Sequence, residues 1–169
     1  MINFVKKVIR GIDLINDRTG KVVSFLVPLL IAFETYEVLS RYVFGRPTIW
    51  ISELSAMLFG AFILIGGGYT MYHGSHANMD IVYGLFSKRG KAILDLITFL
   101  FFLAFVGVLL WKGWHMAWRS VVTLEHDSTE WAPPIYYFKL TLPLGAFLLL
   151  LQGISKFLKD FIIAIRGDF

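Results

Sequence analysis

The feature that most limits the fold of this chain is a series of long apolar stretches that are almost free of charged residues. A helix of about 20 mainly apolar residues crosses the hydrocarbon core of a bilayer, which is roughly 30 Å thick. Four stretches are long enough, and we predict four membrane-spanning helices at about 22–44, 50–73, 92–115 and 136–165. The predicted fold class is an all-α integral membrane protein with a single membrane domain.

The composition agrees with lipid as the solvent for these stretches. Hydrophobic residues make up 57% of the chain, whereas soluble domains contain about 45–50%. Cysteine is absent, which excludes disulfides, thiolate zinc sites and cysteine nucleophiles. The net charge is +4, but no basic segment with interleaved aromatic residues offers a nucleic-acid surface outside the apolar stretches. We therefore interpret the basic residues as topology signals and phospholipid contacts, and predict no nucleic-acid partner.

Basic residues are divided unequally between the two sides that these spans define. Eleven Lys and Arg residues fall on the side of the two termini and five on the opposite side. Because cytoplasmic connections are enriched in Lys and Arg, both termini are predicted to be cytoplasmic. The third connection, which contains Glu125, Asp127 and Glu130, is acidic and is predicted to face outward.

Two further segments have the pattern of amphipathic helices on the membrane surface. In residues 1–20, apolar positions such as Ile9 and Ile12 recur with helical spacing, while basic residues and Asp13 fill the other face. We predict a cytoplasmic interfacial helix here and a similar one at 79–86, with a soluble arm as the alternative for each. Prolines inside the first and fourth spans are expected to kink both helices.

Charged residues inside the first span are the main candidates for a functional role. Glu34, Glu37 and Arg41 share one helix face. An unpaired carboxylate near the bilayer centre costs several kcal/mol, so Glu34 is interpreted as a polar contact to a neighbouring helix, with a proton or ion relay as the alternative. Arg41 is expected to pair with Glu53 across the first hairpin or with Glu37, and Trp50 to lie at the membrane interface.

Small residues recur every seven positions in the second span, which places them on one helix face. The first series is Gly60, Gly67 and Gly74, and a second series, Ala61, Gly68 and Ser75, follows one position later. Small residues allow another helix to approach closely. The pattern predicts a packing face, either within this chain or with another one.

No group of residues has the arrangement of a cofactor or catalytic site. His73 and His76 lie at one end of the predicted bundle and His115 and His126 at the other, so no pair can hold one haem at equal depth. His76 and Asp80 are four residues apart and could bind a metal, but a surface pair is favoured. No nucleophile lies beside a base, and we predict no enzyme, no metal and no cofactor. A haem- or quinone-associated anchor and a small independent channel remain as alternatives.

Three segments resemble the small membrane subunit of tripartite ATP-independent periplasmic (TRAP) transporters, the DctQ-like family. They are Arg41-Tyr-Val-Phe-Gly-Arg-Pro-Thr-Ile-Trp-Ile-Ser-Glu53-Leu, Gly74-Ser-His-Ala-Asn-Met-Asp80-Ile, and Trp131-Ala-Pro-Pro-Ile-Tyr-Tyr-Phe-Lys-Leu-Thr-Leu-Pro143-Leu-Gly with Leu151-Gln152. The resemblance covers nearly the whole chain. Ser52 departs from it, since many relatives carry a second acidic residue there.

The resemblance implies a division of labour in a bacterial inner membrane. A large multi-helix subunit carries an organic acid, such as a carboxylate or a sulfonate, together with sodium, and a periplasmic binding protein delivers that substrate. The small subunit braces the immobile scaffold of the large one. Structural or interface roles are then expected for Arg41, Trp50, Glu53 and Asp80. Residues expected to touch the binding protein are Glu125, Asp127, Glu130 and Trp131.

Overall fold

The chain folds into a bundle of helices with short connections at one end. The structure, a computed structural model, describes residues 2–74 and 88–166. Its helices are α1 (Ile2–Ser24), α2 (Leu26–Tyr42), α3 (Ile49–Tyr72), α4 (Lys88–Val122), α5 (Tyr136–Lys139) and α6 (Thr141–Arg166). Every regular element in these residues is a helix, apart from an isolated β-bridge between His126 and Pro134. The predicted all-helical class is therefore confirmed.

Three helical segments of the described chain are long and apolar enough to cross a membrane: Phe4–Tyr42, Ile49–Tyr72 and Ile93–Val122. The first joins α1 and α2, and its 39 residues extend over about 58 Å at 1.5 Å per residue. That length exceeds the hydrocarbon core, so part of this segment lies outside it. The protein is thus a multi-pass membrane protein.

Two prolines explain where the long helices break. Phe25 separates α1 from α2, and Leu140 separates α5 from α6. In each case a proline, Pro28 or Pro143, follows the break by three residues. Proline has no N–H, and its ring collides with the carbonyl four residues earlier. That carbonyl belongs to the last residue of the preceding helix in both cases, so the helix ends there.

Helix α6 lies at the centre of the bundle. It packs between α3 and α4, while α1 and α2 cover the other side of α3 and α1 also reaches α6. Glycines allow the closest approaches: a Cβ atom at Gly145 would overlap the carbonyl of Leu64 on α3, and one at Gly153 would overlap the ring of Phe102 on α4. Glycines thus let α6 approach the backbone of α3 and an aromatic side chain of α4 closely.

The close contacts of α3 fall on the second of its two small-residue series. Ala61 and Gly68 are buried, and a Cβ at Gly68 would overlap the side chain of Asn16. A Cβ atom at Gly60 would face open space, and one at Gly67 would contact only a side-chain atom of Leu149, at 3.9 Å. Gly74 follows the end of α3 with a φ of 68°, and no described atom lies within 4 Å of its Cβ position. Within the described chain, then, the first series does not make the closest contacts.

Candidate partner interface

Polar contacts collect at the two opposite ends of the bundle. The hairpin end contains the α2–α3 connection, residues 43–48, and the α4–α5 connection, residues 123–135. The terminal end contains the N-terminal part of α1 and the C-terminal part of α6. These two names are used below.

Glu37 organises the first connection at the hairpin end. Its side chain is only 6% exposed, and one carboxylate oxygen accepts hydrogen bonds from Arg41 Nε at 3.0 Å and Nη2 at 2.6 Å. The other oxygen accepts from the backbone N–H of Thr48, at 3.1 Å, and from its hydroxyl. Thr48 immediately precedes α3, so this carboxylate joins α2 to the start of α3. Arg41 therefore pairs with Glu37, and Glu53 has a different partner.

That partner lies in the α4–α5 connection. Glu53 accepts a hydrogen bond from the Thr129 hydroxyl at 2.8 Å. The ring of Trp50 packs against Phe33, at a centroid distance of 6.3 Å, and against Trp131, at 6.5 Å. These contacts fasten the connection to α3, and Trp50 in turn packs against α2.

The α4–α5 connection is itself a compact loop. Backbone hydrogen bonds run from the N–H of Asp127 to the carbonyl of Pro133, at 2.9 Å, and from the N–H of Ile135 to the carbonyl of Glu125, at 3.1 Å. The geometry of the loop is therefore fixed from within as well as by α3.

The four residues expected to touch a binding protein differ in their exposure and in the contacts they make within this chain. Glu125 forms an ion pair with Lys139 at 2.6 Å, and this donated hydrogen bond lowers the pKa of Glu125 below its usual value. Asp127 accepts a hydrogen bond from the N–H of Ser128 at 2.7 Å. Glu130 is exposed, and Trp131 keeps 41% of its surface exposed despite its contact with Trp50.

The remaining candidates have fewer contacts within the chain. Glu34 is exposed on α2, and its side chain has no hydrogen bond or ion pair with any residue in 2–74 or 88–166. The polar contact expected for it is therefore not made inside the described chain. His76, Asp80 and the predicted surface helix at 79–86 lie outside the described residues.

The strongest polar network lies at the terminal end, where the sequence did not predict one. Asp13 on α1 accepts hydrogen bonds from Gln152 Nε2 at 3.0 Å, Ser155 Oγ at 2.8 Å and Lys159 Nζ at 2.7 Å, all on α6. Asn16 Nδ2 donates to Gln152 Oε1 at 2.9 Å, and both of these amides are at most 2% exposed. The network holds the first helix against the last one.

A sequence signal for this network exists in the spacing of α1. The buried positions lie on one helical stripe: Ile9, Ile12, Asn16, Gly20 and Val23. An amide within such an apolar stripe indicates a polar partner inside the protein. Asp13 was assigned to the solvent-facing side together with the basic residues, but it faces α6.

Much of the remaining surface is apolar. On α4, Ile97, Leu100, Phe101 and Phe105 are each at least 60% exposed, as expected for a helix in contact with lipid or another membrane protein. The described residues contain no group of three His, Cys, Asp or Glu residues that could hold a metal. The fold and its contacts define a small multi-pass membrane protein whose polar side chains hold helices together.

Comparisons with known proteins identify the family. The family model described as "Tripartite ATP-independent periplasmic transporters, DctQ component" matches residues 29–162, and the chain belongs to this family. It is similar to the sialic acid TRAP transporter small permease protein SiaQ of Vibrio cholerae, with 22% identity over 135 residues that cover 78% of this chain and 74% of the relative. The chain is therefore a TRAP transporter small permease subunit and not an enzyme, and the resemblance found in the sequence is confirmed.

Proposed function

We propose that this small permease subunit serves a sodium-coupled importer of an organic acid, a carboxylate or a sulfonate, by bracing the scaffold of the large transport subunit. The family match carries this proposal. The relative from Vibrio cholerae is named for sialic acid, which is a carboxylate. The partners are the large multi-helix subunit, a periplasmic substrate-binding protein and phospholipids, with no cofactor.

The bracing role is supported by how the polar groups are used. Asp13, Glu37 and Glu53 each accept hydrogen bonds from another part of this chain, so they stiffen the subunit. Its apolar faces stay exposed and are available to a membrane partner. A stiff bundle embedded in lipid resists displacement of the frame against which the mobile part of the large subunit moves.

The proposed topology has four spans, with both termini in the cytoplasm of a bacterial inner membrane. Helix α6 is the fourth span: it has 26 residues and packs between two helices that are themselves candidate spans. The hairpin end then faces the periplasm, and the first part of α1 lies at the cytoplasmic surface. The excess of basic residues at the terminal end supports this direction.

The topology can be tested by labelling, because the chain has no cysteine of its own. A membrane-impermeant maleimide added to intact cells is expected to label Ser128→Cys in the α4–α5 connection and not Arg10→Cys on α1. Both positions are exposed, and lysed cells provide the control for reactivity. Labelling of Arg10→Cys from outside would show that α1 begins in the periplasm, opposite to the proposed topology.

We further propose how the candidate residues meet the two protein partners. Gly60 lies on an open face of α3 and is assigned to close packing against the large subunit, with exposed Glu34 as a polar contact to the same partner. Glu130 and Trp131 face the binding protein. Arg41, Trp50 and Glu53 position that surface, and Gly67, Gly74, His76 and Asp80 remain proposed as structural or interface residues.

Co-purification with the large subunit tests the proposed packing face. Gly60→Leu is expected to weaken the complex, because a large side chain on this face blocks close approach. Gly66→Leu is the matched control: this glycine also faces open space, but it lies about 120° away around the helix. Equal recovery of the complex with both variants would contradict the assignment.

Uptake in proteoliposomes tests the function itself. Vesicles with the large subunit, the binding protein and a sodium gradient should accumulate the substrate only when this chain is present. This chain alone should give neither ion conductance nor a haem absorbance band. Full uptake without it would refute the bracing role.

A further inference from the structure

A polar groove flanks α4 at the hairpin end, away from the contacts that hold the bundle together. Its volume is about 560 Å³. It is lined by His115, Met116, Arg119, Thr123, Glu125 and Lys139. The groove therefore lies between the end of α4 and the end of the short helix α5.

The sequence of α4 places this groove at the level of lipid headgroups. Residues 96–111 contain no charged side chain, and Lys112 is the first charge after them. Trp111, Trp114 and Trp118 are 56–60% exposed, and exposed tryptophans are enriched where a membrane meets water. Arg119 lies about 10 Å beyond Lys112 along the helix axis, which is still within reach of the headgroup layer.

The charges in the groove are not balanced. Lys139 and Glu125 pair with each other at 2.6 Å, and Arg119 attracts the same carboxylate more weakly and without direct contact, so the groove holds two cations and one anion. The Thr123 hydroxyl donates to carbonyls of its own helix. Arg119 is exposed and its side chain makes no hydrogen bond or ion pair within the described parts of the chain. One guanidinium therefore remains available at the groove.

We propose that Arg119, assisted by a ring N–H of His115, binds the phosphate of a phospholipid headgroup in this groove. A guanidinium presents parallel N–H donors that match two phosphate oxygens, and Met116 and the apolar part of α4 lie beside the acyl chains. Lipid binding at this site requires only that the chain is embedded in a membrane, so it can be tested independently of the transport role.

Native mass spectrometry of the delipidated full chain, titrated with dioleoyl phosphatidylglycerol, tests the site. Arg119→Gln should weaken the tightest lipid binding by about tenfold or more, because a charge-assisted hydrogen bond is lost. Lys112→Gln is the matched control: it removes a charge from the same helix, about 10 Å away along its axis and outside the groove, and should change binding by no more than about twofold. Circular dichroism confirms that both variants remain helical.

Two competitors distinguish the possible sources of the ligand. Diolein has the same acyl chains without phosphate and should not compete, and inorganic phosphate should compete far less well than the lipid. Equal effects of the two variants, competition by diolein, or equally effective competition by inorganic phosphate would each overturn the proposal. Arg119→Lys should bind the lipid more tightly than Arg119→Gln but less tightly than the wild type, which would support the bidentate contact.

Discussion

The two ends of the bundle are held by polar contacts of very different range along the chain. At the hairpin end, Glu37 joins residues that are 4 and 11 positions away. At the terminal end, Asp13 joins residues 139 to 146 positions away. The Glu37 contacts can form as soon as one hairpin exists. The bond between Glu53 and Thr129, 76 positions apart, also needs α4, and the Asp13 contacts need α1 and α6 together.

This difference follows from lipid as solvent. Apolar side chains gain little by leaving lipid for another apolar surface, so packing, hydrogen bonds and small residues hold membrane helices together. Connections as short as residues 43–48 keep α2 and α3 together at the hairpin end. Helices α1 and α6 have no such connection, and the buried network replaces it.

The largest effect is expected where the long-range network is broken. Asp13→Ala removes the acceptor for three donors and leaves the Lys159 charge without its carboxylate, which should lower the free energy of unfolding by about 3 kcal/mol. Equilibrium unfolding in mixed micelles measures it. Asp17→Ala is the control: Asp17 pairs with an exposed lysine one turn away at 2.6 Å and with partly exposed His73 at 3.5 Å, so its loss should matter much less. Equal losses would show that the contacts of Asp13 with α6 do not stabilise the fold more than the contacts of Asp17 do.

The next largest effect concerns the backbone contact between α3 and α6. Gly145→Ala would push a Cβ against the carbonyl of Leu64, and separating the helices should cost about 2 kcal/mol. Gly66→Ala, on an open part of α3, should be neutral or slightly stabilising because alanine favours helix. The same micelle unfolding assay compares them. A neutral Gly145→Ala would mean that this approach is not needed.

A smaller and local effect is expected at the hairpin end. Thr129→Val removes the hydrogen bond to Glu53 and should weaken the attachment of the α4–α5 connection by about 1 kcal/mol. Hydrogen exchange should rise in residues 123–135 and remain unchanged in α1 and α6. Thr35→Val provides the control, since the Thr35 hydroxyl bonds only its own helix. Faster exchange in α1 would contradict the independence of the two ends.

The smallest effect depends on pH. Because Lys139 lowers the pKa of Glu125 from its usual value of 4.5, their pair stabilises the folded protein above that pH and is lost as the pH falls below it. The melting temperature of the native protein should therefore exceed that of Glu125→Gln at pH 7, and the gap should close towards pH 3. A gap that widens in acid would contradict this sign.

The sequence predicted the positions of helices better than their contacts. Helix α3, Ile49–Tyr72, lies within one residue of the predicted stretch 50–73, because Pro47 and Gly74 bound one apolar run. The kinks expected from prolines occur as breaks, displaced by three residues to Phe25 and Leu140. Local chemistry determines both features, so a single sequence reveals them.

Contacts between distant helices were harder to predict. The seven-residue period of α3 fits two faces that differ by one position and about 100° of rotation, and only the fold shows that Gly68 makes the closer contact. Asp13 looked like part of a basic, solvent-facing side, because its three donors lie on a helix more than 100 residues later. Periodicity describes one helix at a time and does not identify its partner.

The network at the terminal end also has a consequence for biosynthesis. Ribosomes make α1 before α6, so Asp13 and Asn16 have no Gln152 to bind until α6 has been synthesised. A nascent or truncated chain without α6 exposes both groups at a position that the finished protein buries. Unpaired Asp13 and Asn16 side chains therefore distinguish a chain that lacks α6 from one in which α6 is docked.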